Sequence, residues 1–288
     1  MQGIFQRTLS LRFAVIWSLL ALVSGPAFAD ARMTVLVDVL KLPEAAQILR
    51  EEGLSHASEL DTDMLDGRGG AGWQIQVDAI YDTARMVETV RRSLQDELQG
   101  PDLTAELEGT INFFASDLGT KIVSLENSAR AAILDSDVEE AARARYAELS
   151  GAEQDGADDA RLALITAFVE SGDMINRNVT SAMNSNYQFL RGLADGEAIQ
   201  MSDEEMLADV AGDIDEITDD TISWLYGYLL LAYHPLSDAE LQNYLTYSET
   251  KAGQALNRGL FDGFGKAFED ISYALGRAVA LNMTAKDL

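Results

Sequence analysis

A glycine-rich segment at residues 65–73 is the most unusual local sequence in the chain and the first candidate for a binding loop. Gly67, Gly69 and Gly72 have the spacing G-x-G-x-x-G. In a dinucleotide site this loop follows a strand and opens a helix. The residues before this segment indicate a helix or a loop instead, so the sequence disfavours a nucleotide site.

We interpret the segment as a tight turn between two helices, in which glycines adopt positive φ and Trp73 packs the turn onto the core. Rigid scaffolds also display binding residues on loops, so the alternative is a loop that contacts a ligand or a partner. The residues of this hypothetical binding loop are Asp66, Gly67, Arg68, Gly69, Gly70, Gly72 and Trp73.

Three acids at the start of this region, Asp61, Asp63 and Asp66, offer the oxygen ligands that calcium prefers. An EF-hand loop starting at Asp61 would need a ligand where Leu65 stands and a glutamate where Gly72 stands. The pattern therefore fails, and we interpret the acids as a helix N-cap region. The sequence predicts no metal site and no cofactor.

A second acidic run lies at residues 209–220. Asp209, Asp213, Glu216 and Asp220 step by four, three and four residues, which predicts one helix face that carries all four. Such a stripe would suit cations or a basic partner, but it is more typical of a solvated face. The apolar residues expected on the opposite side are Val210, Ile214, Ile217 and Ile222.

Hydrolytic catalysis has little support from the residue types. The chain has no cysteine and two histidines, His56 and His234, and neither histidine stands in a nucleophile or metal motif. We therefore predict no catalytic residue. A carboxylate-dependent hydrolase acting on cell-wall material stays the alternative function. It requires two acids facing each other across a deep cleft, one of them desolvated.

An aromatic cluster at residues 224–233 has two interpretations. It contains Trp224, Tyr226, Tyr228 and Tyr233, which would either line a pocket or belong to the core with their hydroxyls at its rim. At this density we favour the core.

The elements that position these residues are predicted to be helices. Apolar residues recur every three or four positions along residues 107–125, as on one face of a helix. Ser202 and Ser237 each begin a capping box with a glutamate three residues later. Residues 33–40 indicate the start of a helix, and strand-like alternation is nearly absent after them. The predicted fold class is all-α, a helical bundle.

An internal repeat suggests that this bundle has two related helical-hairpin halves. Each copy follows a helical stretch, at residues 77–98 and 206–233, and ends in a second helix. The halves would span residues 30–149 and 161–288, with an acidic linker at 150–160. The repeated positions are Glu106, Leu107, Phe113 and Gly119 in the first copy and Glu240, Leu241, Tyr247 and Gly253 in the second.

The motif glycines, Gly119 and Gly253, lie within segments whose apolar spacing predicts a helix. A glycine inside a helix lowers helix stability by about 1 kcal/mol relative to alanine. Two explanations fit. The helix breaks near Ser116 and Thr250, which then cap a new helix, or the missing side chain lets another helix approach closely. Both explanations are structural rather than catalytic.

The repeated pattern resembles the helical motif of the domain of unknown function 2059 family, most clearly at residues 106–122 and 240–256. The resemblance implies an exported, helical bacterial protein and brings no established activity with it. Many members of that family have a proline within the Ser-x-x-Gly segment, where this chain has Asp117 and Lys251.

The amino terminus has the three parts of a secretory signal peptide. Arg7 and Arg12 supply the positive charge, residues 13–23 are apolar, and an A-x-A sequence ends at Ala29. We expect residues 1–29 to be removed by cleavage after Ala29, which would leave a periplasmic protein. No later segment is predicted to span a membrane.

The net charge of −27 opposes binding to nucleic acid, which requires clustered basic residues. The leading hypothesis is a non-enzymatic periplasmic module that binds or interacts with a partner. An unknown protein, peptide or small ligand would bind in a groove between helices or at residues 67–72.

Overall fold

The computed structural model describes residues 25–98, 104–151 and 157–284, and every regular element within these ranges is an α-helix. This confirms the all-α fold class. In chain order the helices are α1 (Gly25–Val39), α2 (Leu42–Leu65), α3 (Gly70–Ile80), α4 (Thr83–Glu97), α5 (Thr104–Phe114), α6 (Asp117–Ala132), α7 (Ser136–Gly151), α8 (Ala157–Ser171), α9 (Met174–Asp195), α10 (Asp203–Gly212), α11 (Ile214–Tyr233), α12 (Asp238–Ser248) and α13 (Lys251–Thr284).

Both helical stretches that precede the repeated motif are divided in two. The stretch at residues 77–98 breaks between α3 and α4, where Asp82 caps α4 by accepting a hydrogen bond from the Arg85 amide at 3.0 Å. The stretch at 206–233 breaks at Asp213, between α10 and α11. Each half therefore contains more than the two helices of a simple hairpin.

The break at Asp213 also overturns the single acidic face predicted for residues 209–220, because the four acids are shared between α10 and α11. Ile214, which was expected on the apolar side, is 43% exposed. Asp220 is held by an ion pair with Arg143 of α7 at 2.9 Å. All four acids are exposed, which agrees with the favoured interpretation of a solvated surface, although the helix break divides that surface.

The capping boxes at Ser202 and Ser237 are confirmed. In each, the serine hydroxyl accepts a hydrogen bond from the backbone of the glutamate three residues later, and that glutamate accepts one from the serine amide. These caps satisfy amide groups that have no partner inside the helix, and they set the starts of α10 and α12.

The two motif glycines lie just after helix breaks that have the same local geometry. The Ser116 hydroxyl accepts a hydrogen bond from the Gly119 amide at 3.1 Å, and the Thr250 hydroxyl accepts one from the Gly253 amide at 3.0 Å. The hydroxyls thereby cap α6 and α13. The first explanation of these glycines, a helix break followed by a new cap, is confirmed.

Asp117 and Lys251 stand at the positions where many members of the resembled family have proline. Asp117 and Lys251 are the first residues of α6 and α13. Proline is well tolerated at the first position of a helix, because its missing N–H would have no partner there. A proline at either position would therefore be compatible with this turn.

Two hydrophobic clusters form the core. The larger cluster includes side chains of α1, α4, α5, α6, α8, α11, α12 and α13, and so it mixes residues of both predicted halves. The smaller cluster surrounds α2, α3 and the second part of α13. Helix α13 is 34 residues long and packs along α9 and α4, which joins the two clusters.

The two copies of the repeated motif contact each other inside the larger cluster. The rings of Phe113 and Tyr247, which occupy equivalent positions in the two copies, stack with centroids 4.1 Å apart. The Tyr247 hydroxyl donates a hydrogen bond to the Thr110 hydroxyl at 3.1 Å. Lys121 and Glu240 form an ion pair at 2.8 Å. A common origin of the two copies stays a prediction.

The described ranges limit what can be said of the predicted boundaries. Helices α7 and α8 extend into the predicted linker at 150–160, whose residues 152–156 lie outside the described residues. Most of the predicted signal peptide, residues 1–24, also lies outside them. Helix α1 begins at Gly25, before the predicted cleavage position. Among the helices that are described, none combines the length and hydropathy needed to cross a bilayer.

Candidate functional site

A cavity of about 490 Å³ lies between α2, α5, α6, α9, α11, α12 and α13. This volume is within the usual range of small-molecule sites, which are mostly apolar with a few convergent polar groups. Aromatic and aliphatic side chains from these helices supply most of the lining. Prominent among them are Leu42, Phe114, Leu256, Leu260, Phe264 and Phe268.

Helices α6 and α9 supply most of the polar groups of this cavity, which we call the Glu126 pocket. Asn178, Ser181 and Ser185 line it from α9, and Val123, Glu126, Asn127 and Arg130 line it from α6. The spacing of the α6 residues, three, four and seven positions, places them on one helix face. The α6 residues were not singled out from the sequence, although one amide and two charged side chains on a face that also carries Val123 are an unusual pattern for a core helix.

Three tyrosines from α11 and α12 hold Glu126 in place. The hydroxyls of Tyr233 and Tyr244 donate hydrogen bonds to the Oε1 atom of Glu126 at 2.7 and 3.2 Å. The Tyr228 hydroxyl donates to the backbone carbonyl of Glu126 at 3.1 Å. The aromatic cluster at 224–233 therefore belongs to the core, as favoured from the sequence, and Tyr228 also lines the pocket.

Burial raises the pKa of Glu126 from 4.5 to about 7, although the hydrogen bonds from Tyr233 and Tyr244 act in the opposite direction. Part of the side-chain surface of Glu126 stays accessible because it faces the cavity. The same burial, with the nearby Glu126 charge, raises the pKa of Tyr233 and of Tyr244 well above 10. A proton on Glu126 is thus in equilibrium near neutral pH.

Arg130, the basic residue in the lining of this pocket, is already paired with another acid. Its guanidinium donates to both carboxylate oxygens of Glu52, at 2.9 and 2.7 Å, and lies 4.7 Å from the ring centre of Trp224. A bidentate pair of this kind is geometrically specific. Arg130 is therefore held toward Glu52 and Trp224, and the carboxylate of Glu126 is left without a salt bridge.

Asn127 presents a second unusual polar group. Its side chain is 8% exposed, and its Nδ2 atom is buried without a hydrogen-bond partner among the described residues. A buried donor left unsatisfied costs about 1–3 kcal/mol, so native proteins rarely keep one without a reason. Asn127 is also one of the residues that line the Glu126 pocket.

The glycine-rich segment lies elsewhere, at the junction of α2 and α3. Asp66, Gly67 and Gly70 have φ of 55°, 67° and 60°, which explains the glycines as turn formers. Trp73 is 3% exposed and its indole N–H donates to the Ala57 carbonyl at 3.0 Å. The interpretation as a turn packed onto the core by Trp73 is confirmed, and the segment follows a helix rather than a strand.

None of the hypothetical loop residues 66–73 lines the Glu126 pocket. Arg68 pairs with Asp66 next to it. A binding role of this loop stays a prediction, and the structure does not bring it together with the polar groups of α6.

The acids near this loop do not form a helix N-cap region, and that interpretation is wrong. Asp61 and Asp63 lie in the last turns of α2. The Asp61 carboxylate accepts a hydrogen bond from the Gly69 amide at 2.8 Å, and its carbonyl accepts one from the Gly67 amide at 2.8 Å. Across the described ranges, no group of three or more acids and histidines is arranged to hold a metal ion.

The repeated motif residues lie in the core and at helix starts beside the pocket. Phe113 and Tyr247 stack next to Phe114 and Tyr244, which line the pocket. Leu107 and Leu241 are buried in the larger cluster, and Glu240 belongs to the capping box of α12.

Residues 84–148 match the model of the DUF2059 family, described as "Uncharacterized protein conserved in bacteria". The resemblance inferred from the repeated motif is therefore confirmed for this segment. No curated protein and no solved structure gave a significant match to the chain.

The DUF2059 segment extends from α4 into α7. It includes the first copy of the motif and the pocket residues Glu126, Asn127 and Arg130. The second copy, at residues 240–256, lies outside it. The description of the family carries no activity, so the function has to be argued from the pocket itself.

Proposed function

We propose that this chain is an exported, non-enzymatic binding protein that holds a small, largely apolar molecule in the Glu126 pocket. The observation that carries the proposal is the Glu126 carboxyl group, which has no salt bridge among the described residues, next to the unsatisfied amide of Asn127 in a cavity whose other walls are mostly apolar. A purely structural core position would favour an apolar residue here, because an unsatisfied buried amide destabilises the fold.

The environment of Glu126 supports the same conclusion. A carboxyl group with a raised pKa and no salt bridge is a costly group to bury. Such perturbed groups in cavities are typical of functional sites. Three tyrosine hydroxyls fix its position, which would orient a ligand without movement of the side chain.

Export is the second part of the proposal. It is supported by the charged, apolar and A-x-A parts of residues 1–29 and by the absence of cysteine. An acidic surface suits a protein that stays dissolved in the periplasm.

The alternative of a carboxylate-dependent hydrolase is weaker at this site. Its mechanism needs a second carboxyl group across the cleft, to act as base or nucleophile. Glu126 is the one acid among the residues that line the described pocket. Binding without catalysis therefore accounts for the geometry better.

Filling the pocket tests the proposal. Ala182 of α9 lines the cavity, and Ala147 of α7 is exposed and lies outside the lining. We expect the purified protein to bind N-phenyl-1-naphthylamine, an uncharged apolar dye, with a rise in dye fluorescence. Ala182→Trp should weaken this binding by about tenfold or more, because the indole occupies the space of the ligand.

Ala147→Trp is the matched control and should bind the dye as the unchanged protein does. Thermal unfolding followed by circular dichroism checks that both variants are folded. The proposal is wrong if the unchanged protein does not bind the dye, or if a folded Ala182→Trp binds it as tightly.

A further inference from the structure

We propose that the molecule bound in the Glu126 pocket is an apolar amine, whose ammonium group lies against the free oxygen of the Glu126 carboxylate. This inference rests on the proposed function and adds the chemical class of the ligand.

The hydrogen bonds of Glu126 leave one of its oxygen atoms available. Both tyrosine hydroxyls donate to Oε1, and no side chain or backbone amide of the described residues donates to Oε2. An ionised carboxylate accepts about two hydrogen bonds at each oxygen. An ammonium group has three N–H donors and no acceptor, so it complements Oε2 better than a hydroxyl or a second carboxyl group.

The charge balance of the pocket points to a cation as well. Arg130 and Glu52 neutralise each other through their bidentate contact. The ionised form of Glu126 is then the uncompensated charge among the lining residues. A buried single charge is strongly unfavourable until a partner of opposite sign is present, and an amine ligand supplies that partner. A carboxylate ligand would add a second negative charge.

Aromatic walls favour the same ligand. Phe114, Tyr228, Tyr244, Phe261 and Phe264 all line the cavity. A cation over an aromatic ring gains about 0.5–2 kcal/mol, more when it is desolvated. The aliphatic part of the lining, which includes Leu42, Leu256 and Leu260, suits a hydrocarbon body. Asn178, Ser181 and Ser185 of α9 add polar groups to the lining.

The titratable groups around Glu126 make the pH dependence of binding simple. From α11 and α12 these are Tyr228, Tyr233 and Tyr244, and their pKa values are raised above 10 by burial and by Glu126. Arg130 is paired with Glu52. An alkylamine also stays protonated below about pH 10. Affinity for the amine should therefore rise between pH 5.5 and pH 8, as Glu126 loses its proton.

Calorimetric titration with decylamine, decanol and decanoate tests the inference, because the three probes share one hydrocarbon chain. At pH 8 we expect decylamine to bind about tenfold tighter than decanol or better, and decanoate to bind most weakly. Glu126→Gln should remove the preference for the amine and leave the affinity for decanol within about twofold, since glutamine keeps the volume and an acceptor for both tyrosines.

Glu204→Gln removes one charge from an exposed position of α10 and controls for general attraction of cations to an acidic protein. It should leave decylamine binding unchanged. If Glu126→Gln proves unfolded, the pH series on the unchanged protein replaces it, and the decylamine affinity must rise with pH while the decanol affinity stays constant.

The possible failures are distinguishable. If none of the three probes binds, the proposed function is wrong. If decanol or decanoate binds as tightly as decylamine, or if folded Glu126→Gln keeps the preference for the amine, the pocket still binds apolar molecules but the assignment to amines is overturned.

Discussion

Replacing Glu126 by glutamine is expected to raise the free energy of unfolding relative to the unchanged chain at pH 8. This difference between the two proteins should be about 3 kcal/mol larger at pH 8 than at pH 4. Glutamine is neutral at every pH, and its amide oxygen can accept the hydrogen bonds from Tyr233 and Tyr244. The substitution therefore removes one charge and keeps the packing.

The sign follows from the direction of the pKa shift. In the unfolded chain Glu126 titrates near 4.5, and in the folded protein burial raises its pKa to about 7. Between these values the folded state holds a proton that the unfolded state has lost, so stability falls as pH rises. The stability that Glu126 contributes is fully present below its pKa in the unfolded chain and is lost as pH rises through its pKa in the folded protein. A glutamine at this position does not titrate, so the variant does not lose this stability.

Denaturant unfolding of both proteins at a series of pH values between 4 and 8 measures this difference. Other acids change the stability of both proteins alike, so the difference between the two curves isolates Glu126. Glu204→Gln, at an exposed position, should differ from the unchanged protein in unfolding free energy by a nearly constant amount between pH 4 and pH 8. A constant difference for Glu126→Gln would mean that Glu126 titrates as an ordinary surface acid.

Alanine at Gly119 or Gly253 is expected to destabilise the fold by about 3 kcal/mol. A Cβ atom at Gly119 would lie 2.5 Å from the Cα atom of Phe114 and would collide with the Phe113 carbonyl. At Gly253 the corresponding Cβ would lie 2.7 Å from the Cα atom of Ser248. Backbone atoms cannot turn away as a side chain can, so the break between the two helices must open.

Gly109→Ala is the matched control, because Gly109 is exposed on α5 and a Cβ there would meet no atom within 4 Å. It should stabilise the protein by about 0.5–1 kcal/mol, since alanine favours the helix over glycine. Chemical denaturation of the three variants gives the comparison. Equal effects at Gly109 and Gly119 would show that the helix breaks are looser than the structure describes.

The helical class and the motif turns were accessible from the sequence because their causes are local. The apolar period of residues 107–125 and the serine–glutamate spacing after Ser202 and Ser237 act within one helix. The cap at Ser116 likewise depends on residues three positions away. Such features leave a direct trace in neighbouring residue types.

The helix break at Asp213 left a weaker trace. Residues 206–233 keep a helical period across it, and there is no proline in that stretch. The break depends on how α10 and α11 pack on the rest of the bundle, which a periodicity argument does not include. The acidic run was assigned to one face for this reason.

The Glu126 pocket was not accessible from the sequence, because it is assembled from distant segments. The tyrosines that hold Glu126 are more than 100 residues away in the chain, and the abundance of acids hid the one that is buried. Asn127 could not be recognised from the sequence either, because the lack of a hydrogen-bond partner for its Nδ2 atom among the described residues is visible only in the three-dimensional structure. The glycine-rich turn at residues 67–72 has a more unusual local sequence, although its glycines serve the turn.

Carbon-13 NMR of the Glu126 carboxyl group, assigned by its disappearance in Glu126→Gln, tests the binding-pocket account most directly. The account predicts a titration midpoint near pH 7 in the free protein and a midpoint lower by about one pH unit or more when decylamine saturates the pocket, because an ammonium partner favours the ionised acid. A midpoint near the ordinary value of 4.5 that decylamine does not move would contradict it.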